Sequence, residues 1–217
     1  MLAPKKPQTL VEIGTWLGGG STLHILRALE RNATGHLWGI EADRSIYDQM
    51  LANIRLAVPE AAARFTPLFG FSQDVLPYWT KDLGEGAMVD FAFLDGGNNP
   101  REQIVEFRLL DPFIPVGGQL MAHDAKLRKG KWLVPFMSRL DNWETRLHDV
   151  SDEGLFYARK SAPHPSPASL RGAKAHLFRM QCHPMEIAAT CLPASVCGFC
   201  LRLLPRRFSR RLSDGRK

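Results

Sequence analysis

Residues 1–160 contain no cysteine; all four lie later, at Cys182, Cys191, Cys197 and Cys200. A core without thiols is not stapled by disulfides, so a reducing, cytoplasmic setting is expected. Long apolar runs are also missing. None reaches the roughly 18 to 20 residues of a membrane span, and the nearest, 187–204, is broken by Pro193 and Arg202. The opening Met-Leu-Ala-Pro-Lys-Lys-Pro leaves no room for a signal-peptide apolar stretch before the first strand, so export is not expected. There is no internal repeat. Nor is there a charge excess in the body: residues 1–160 hold eighteen Lys and Arg against twenty Asp and Glu, whereas 161–217 hold ten against two and account for the net +6. The basicity belongs to the tail, and a nucleic-acid partner is not expected.

What remains is a chain of 217 residues, 45% hydrophobic and 23% charged, enough for one core with an appendage. From residue 9 to about 160, short apolar runs alternate with amphipathic stretches of helix length, the pattern of a parallel sheet covered by helices. Strands are predicted at 9–14, 36–41, 64–69, 88–94 and 119–122, with helices at 21–32, 45–56, after Ser72 (disturbed by Pro77), 100–110 and around 131–140. Residues 143–150 and 155–158 then read as two strands across Ser-Asp-Glu-Gly, a hairpin rather than a crossover. Pro163, Pro165 and Pro167 mark the end of the body, dividing the chain into 1–160, a linker with a short helix at 161–184, and an apolar helix with a polybasic end at 185–217.

In open α/β sheets ligands sit beyond the carboxyl ends of the strands, where strand order reverses. The first strand ends in Glu12-Ile13-Gly14-Thr15-Trp16-Leu17-Gly18-Gly19-Gly20-Ser21, in which glycines permit a tight turn and the next helix offers free amides. Gly14 and Gly18 are separated by three residues, not spaced as in the Gly-x-Gly-x-x-Gly of dinucleotide enzymes, so a nicotinamide oxidoreductase is a distant reading. The second strand ends in Ile40-Glu41-Ala42-Asp43, placing the Glu41 carboxylate where a ribose diol would lie; Asp43 suits a helix cap.

Val11-Glu12-Ile13-Gly14-x-x-x-Gly18, Ile40-Glu41 and Gly70-Phe71-Ser72-Gln73-Asp74-Val75-Leu76-Pro77, with the terminal hairpin, resemble the class I S-adenosylmethionine-dependent methyltransferases. The last stretch is similar to the catechol O-methyltransferase branch. The resemblance implies a Rossmann-like, doubly wound, mostly parallel seven-stranded sheet with one antiparallel strand, and S-adenosylmethionine as cofactor. It implies that Glu12 and the Gly14–Gly18 turn hold the methionine end, Glu41 the ribose hydroxyls, and Ser72 with Gln73 the adenine. The third glycine before Ser21 is a one-residue departure.

Asp95 and Asp124 match two aspartates that bind a divalent ion in that branch, and oxygen ligands suit magnesium. The pattern is incomplete: the third ligand, an asparagine, is Ala125 here, and the lysine base falls on Asn98, as does the histidine of the related Asp-Gly-x-His branch. His123 is then the candidate base, with an intrinsic pKa near neutrality and Asp124 beside it. Lys126, Arg128, Lys129 and Lys131 follow, either a draw for an acidic acceptor or a solvated helix start. The tail, with Arg202, Arg206, Arg207, Arg210 and Arg211 behind its apolar part, suits either contact with an anionic membrane surface or docking on the body. The expected activity is methylation of a hydroxyl on a small molecule, glycan or lipid, with Asp95, His123 and Asp124 around the acceptor. The alternative is a cofactor-binding protein without turnover, to which Asn98 and Ala125 point.

Overall fold

The computed structural model describes residues 6–84, 86–149, 151–183 and 186. Strand β1 (Thr9–Ile13) sorts its side chains by the two-residue period of extended chain: Leu10 joins one apolar cluster, Val11 and Ile13 the other. Leu10's cluster includes Leu26 and Leu29 of α1 (Ser21–Asn32), Leu37 of β2 (His36–Glu41), Met50 and Ile54 of α2 (Arg44–Ala57) and Phe65 of β3 (Phe65–Phe69). The larger cluster gathers α3 (Ser72–Asp82), β4 (Phe91–Leu94), α4 (Pro100–Leu110), β5 (Gln119–His123), α5 (Gly130–Met137), β6 (Trp143–His148) and β7 (Leu155–Lys160).

The strands form one sheet in the order β3-β2-β1-β4-β5-β7-β6, with β7 antiparallel to both neighbours and every other pairing parallel. Strand order reverses between β1 and β4, so a crevice opens past Ile13 and Leu94. The α/β class, the single antiparallel strand and the hairpin are those expected from the chain's alternation.

Three local expectations are corrected. The fourth strand begins at Phe91, not at residue 88; just before it the Asp90 carboxylate accepts the Gln8 and Thr9 amides at 2.7 and 3.1 Å, capping the start of β1. Pro77 does not disturb its helix: α3 runs eleven residues through it, since the absent N–H leaves only the Gln73 carbonyl without its donor. The body also continues past the prolines. A fifteen-residue helix, α6 (Pro167–Gln181), inserts Ala173 and Leu177 into the larger core cluster. Its start is fastened by Asp141, which accepts the Ser166 amide at 2.8 Å, and by the Ser169 hydroxyl, which donates to the Arg139 carbonyl.

The apolar helix and polybasic end expected at 185–217 lie outside the described residues, apart from Glu186. Among the described residues no helix is long and apolar enough to cross a membrane. If α6 is integral to the body, Leu177→Ala should lower unfolding free energy by about 2 to 5 kcal/mol in urea titration. A loss near zero would show that the helix contributes nothing to the core.

Candidate functional site

The ends of β1 and β4 nearly touch. The Gly14 amide donates to the Ile40 carbonyl at 2.9 Å, and the Asp95 amide donates to the Ile13 carbonyl at 2.8 Å. Gly14 has φ +84°, and a Cβ there would lie 2.4 Å from the Asp95 carbonyl oxygen, so no side chain is tolerated at this crossing. Beyond it lies a cavity of about 630 Å³, within the range of ligand sites. Of the residues singled out from the sequence, Gly14, Glu41, Ser72, Gln73, Asp95 and Asp124 line it, whereas Glu12, Gly18 and His123 do not.

Those three have other places. Glu12 is fully buried behind the glycine turn, where the Ser21 hydroxyl donates to its Oε1. Gly18, at φ +76°, faces α2: a Cβ would lie 3.0 Å from Ile54 and 3.1 Å from Met50. It lets the turn pack on that helix, while Gly19 and Gly20 face open space. His123 stands behind the acid pair, its Nδ1 3.0 Å from Asp124 Oδ1 and 3.4 Å from Asp95 Oδ1.

Glu41 is held rigidly. Its Oε1 accepts the amides of Ala42 and Asp43 at 2.9 and 3.0 Å, and its Oε2 accepts the Trp16 amide at 3.0 Å. A carboxylate has about four lone-pair sites, so acceptor capacity remains for a diol. Asp43 caps α2, its carboxylate accepting the Ile46 amide. Trp16 and Phe71 stand exposed on the cavity's border.

Glu106 is a site residue that the sequence argument passed over. It is buried at the cavity wall, where its Oε1 accepts the Ser72 hydroxyl at 2.5 Å and the Gln73 amide at 3.5 Å. Its Oε2 is buried without a hydrogen-bond partner. The available signal was an acid on the inward stripe of α4, beside the buried Gln103, Phe107 and Leu110. Burial pushes both Glu12 and Glu106 up to about 7, against the lowering effect of the Ser21 and Ser72 hydroxyls.

Lys129, one of four cations in the run 126–131, is 4% exposed and lies between the two aspartates rather than on a solvated helix start. Its ammonium is 2.8 Å from Asp95 Oδ1, 2.8 Å from Asp124 Oδ2 and 3.3 Å from the Gly96 carbonyl. Burial works against its charge, but Asp95 and Asp124 outweigh it and hold the lysine above its ordinary range. Lys126 and Lys131 are committed as well, to Asp149 and Glu186, so three of the four cations are paired rather than available to an acidic acceptor.

Ligand atoms of Asp95, His123 and Asp124 do lie within 4.8 Å of one another. The residues nevertheless do not fit a divalent ion. The Lys129 ammonium already occupies one oxygen of each carboxylate and compensates their charge, so an ion there would have to displace it. Ala125, at the expected third-ligand position, turns its methyl into the apolar core.

A seven-stranded sheet in this order, with a glycine turn after β1 and an acid after β2 around one crevice, defines the class I methyltransferase fold. The chain belongs to a family described as a methyltransferase domain, whose model matches residues 11–125. Among solved structures it is similar to a protein of Klebsiella pneumoniae assigned as an O-methyltransferase, at 22% identity, 72% of this chain, 74% of that one and a TM-score of 0.58. It is also similar to a Bacillus cereus O-methyltransferase in complex with SAH (19%, 71% and 74%, TM-score 0.57) and to a Staphylococcus aureus protein assigned as a caffeoyl-CoA O-methyltransferase (15%, 71% and 77%, TM-score 0.55). No curated protein matches the chain in sequence.

The two buried glutamates make a pH prediction. Their folded pKa of about 7 lies above the ordinary 4.5, so the folded protein holds protons that the unfolded chain releases across that interval. Stability from these groups is present below about 4.5 and lost as pH rises through 7, at roughly 3 kcal/mol each. Glu12→Gln and Glu106→Gln should therefore raise the urea midpoint at pH 8 and leave it nearly unchanged at pH 4.5. Equal shifts at both pH values would count against the buried-acid account.

Proposed function

We propose that this methyltransferase uses S-adenosylmethionine and transfers its methyl group to a hydroxyl oxygen of a small molecule, glycan or lipid. The observation that carries this is the Glu41 carboxylate, fixed by three backbone amides at the mouth of a cavity opening at the β1–β4 reversal. A preorganised acceptor there suits a ribose diol. Glu106 ties down the Ser72 and Gln73 side chains, and no side chain caps α3, so its first amides stay free for a flat base. Glu12 acts through Ser21, fixing the turn that would face the methionine end.

When bound, the cofactor supplies an electrophilic methyl on a sulfonium. The protein's task is alignment of the acceptor oxygen with that methyl in a dry pocket, which is worth several kcal/mol. Asp95, Asp124 and Asn98 line the far part of the cavity, where the acceptor would sit. Proton removal falls to the His123–Asp124 pair, in which Asp124 Oδ1, 3.0 Å from His123 Nδ1, orients the imidazole that serves as the base.

A second reading, a binding protein without turnover, is favoured by Ala125 and Asn98 at two positions where related enzymes keep chemistry. The family match to a methyltransferase domain leaves no support for the nicotinamide reading. Calorimetry should show S-adenosylmethionine binding, weakened by more than about 1 kcal/mol in Glu41→Ala through loss of a charge-assisted hydrogen bond. An unchanged affinity would move the ribose elsewhere. Labelled-methyl transfer to cell extracts then separates the readings: binding with no labelled product from any extract supports the turnover-free protein.

For the tail we propose contact with an anionic membrane surface through residues 185–217, on the strength of its apolar stretch and following arginines. The intact chain should sediment with anionic vesicles, and a chain ending at Pro184 should stay in solution. An intact chain that never sediments excludes the contact.

A further inference from the structure

We propose that the Lys129 ammonium stands permanently where related enzymes place a divalent ion, so that this protein holds its acceptor without metal and by one hydroxyl rather than by chelation through two. The part concerning the acceptor rests on the O-methyltransferase reading above; the part concerning the ion does not.

Three features support it. First, the ammonium bridges one oxygen of each carboxylate at 2.8 Å, and its third hydrogen reaches the Gly96 carbonyl at 3.3 Å. A metal ion keeps open coordination positions that can take two neighbouring hydroxyls. An ammonium has three donors, all three occupied here, so a vicinal diol gains nothing over a single hydroxyl.

Second, the backbone brings Lys129 to the acids. Asp124 sits in the left-handed region at φ 56°, the Leu127 amide donates back to its carbonyl at 2.9 Å, and the Ala125 and Lys126 amides donate to Gly154 and Glu153 in the β6–β7 turn. Gly130 then closes on Ala125 so tightly that a Cβ would lie 2.3 Å from the Ala125 carbonyl oxygen. That contact folds residues 125–130 into a loop whose last side chain before α5 points to the acids. Third, the position of the missing asparagine ligand is filled by the buried Ala125 methyl. The lost ligand and the gained cation lie on the same loop.

Manganese(II) is the probe, followed through the free-ion EPR signal with the full chain. Wild type should leave equimolar ion free, and chelator should change any methyl transfer by less than about twofold, since no ion contributes Lewis acidity. Lys129→Met removes the ammonium, keeps the stem, and should capture one ion per chain; adding Asp124→Asn should release it. Any acceptor that the enzyme methylates should keep its kcat/KM within about tenfold when a neighbouring hydroxyl is added.

Wild-type capture of manganese that Asp124→Asn abolishes would overturn the proposal, as would a folded Lys129→Met that captures none. Should Lys129→Met not fold by circular dichroism, Lys129→Gln carries the same comparison, and the wild-type titration needs no variant. These arms involve neither cofactor nor acceptor. Failure of the methyltransferase reading would show instead as no binding of S-adenosylmethionine in calorimetry.

Discussion

The site depends on one steric constraint, the approach of two strand ends where the sheet changes direction. Gly14 presents no Cβ to the Asp95 carbonyl, and β1 and β4 end side by side because of it. From this point the glycine turn leads into α1, Asp95 is brought beside Asp124 at the end of the next strand, and Glu41 stands across the crevice. A larger residue at position 14 would push apart the halves that the cavity joins, whatever the quality of its other contacts.

Around that crossing the protein buries several ionisable groups, and it treats them in two ways. Glu12 behind the glycine turn and Glu106 in the cavity wall each have a hydroxyl donor, and burial favours their neutral forms, which makes them props for the turn and for the Ser72–Gln73 pair. Asp95, Asp124 and Lys129 instead compensate one another, so charge is kept at that end of the cavity.

The hairpin at the end of the sheet belongs to the same arrangement. By placing β7 beside β5 it brings the β6–β7 turn over the loop after Asp124, where Glu153 and Gly154 carbonyls accept its amides. Helix α6 packs against the same side of the core through Ala173 and Leu177. An antiparallel addition to an otherwise parallel sheet is in this way connected to the cavity: it stabilises the segment that carries Ala125 and Lys129.

Much of this was legible in the chain. Alternating apolar runs disclosed the sheet and its helices because burial imposes a period on each element; Gly14 and Glu41 stood out at strand ends, Ser72, Gln73, Asp95 and Asp124 through the resemblance to class I methyltransferases, and all six line the cavity. Glu106 and Lys129 were not, for the same reason in each case. A glutamate in an amphipathic helix and a lysine in a basic run look like solvated residues until packing removes the solvent. The sequence by itself determined which segments are strands, which acids lie at their ends and that cysteine plays no part in residues 1–160. Only the tertiary structure decided which cation neutralises those acids, because that choice is a matter of a few ångströms between segments thirty-four residues apart, and no local pattern encodes a distance of that kind.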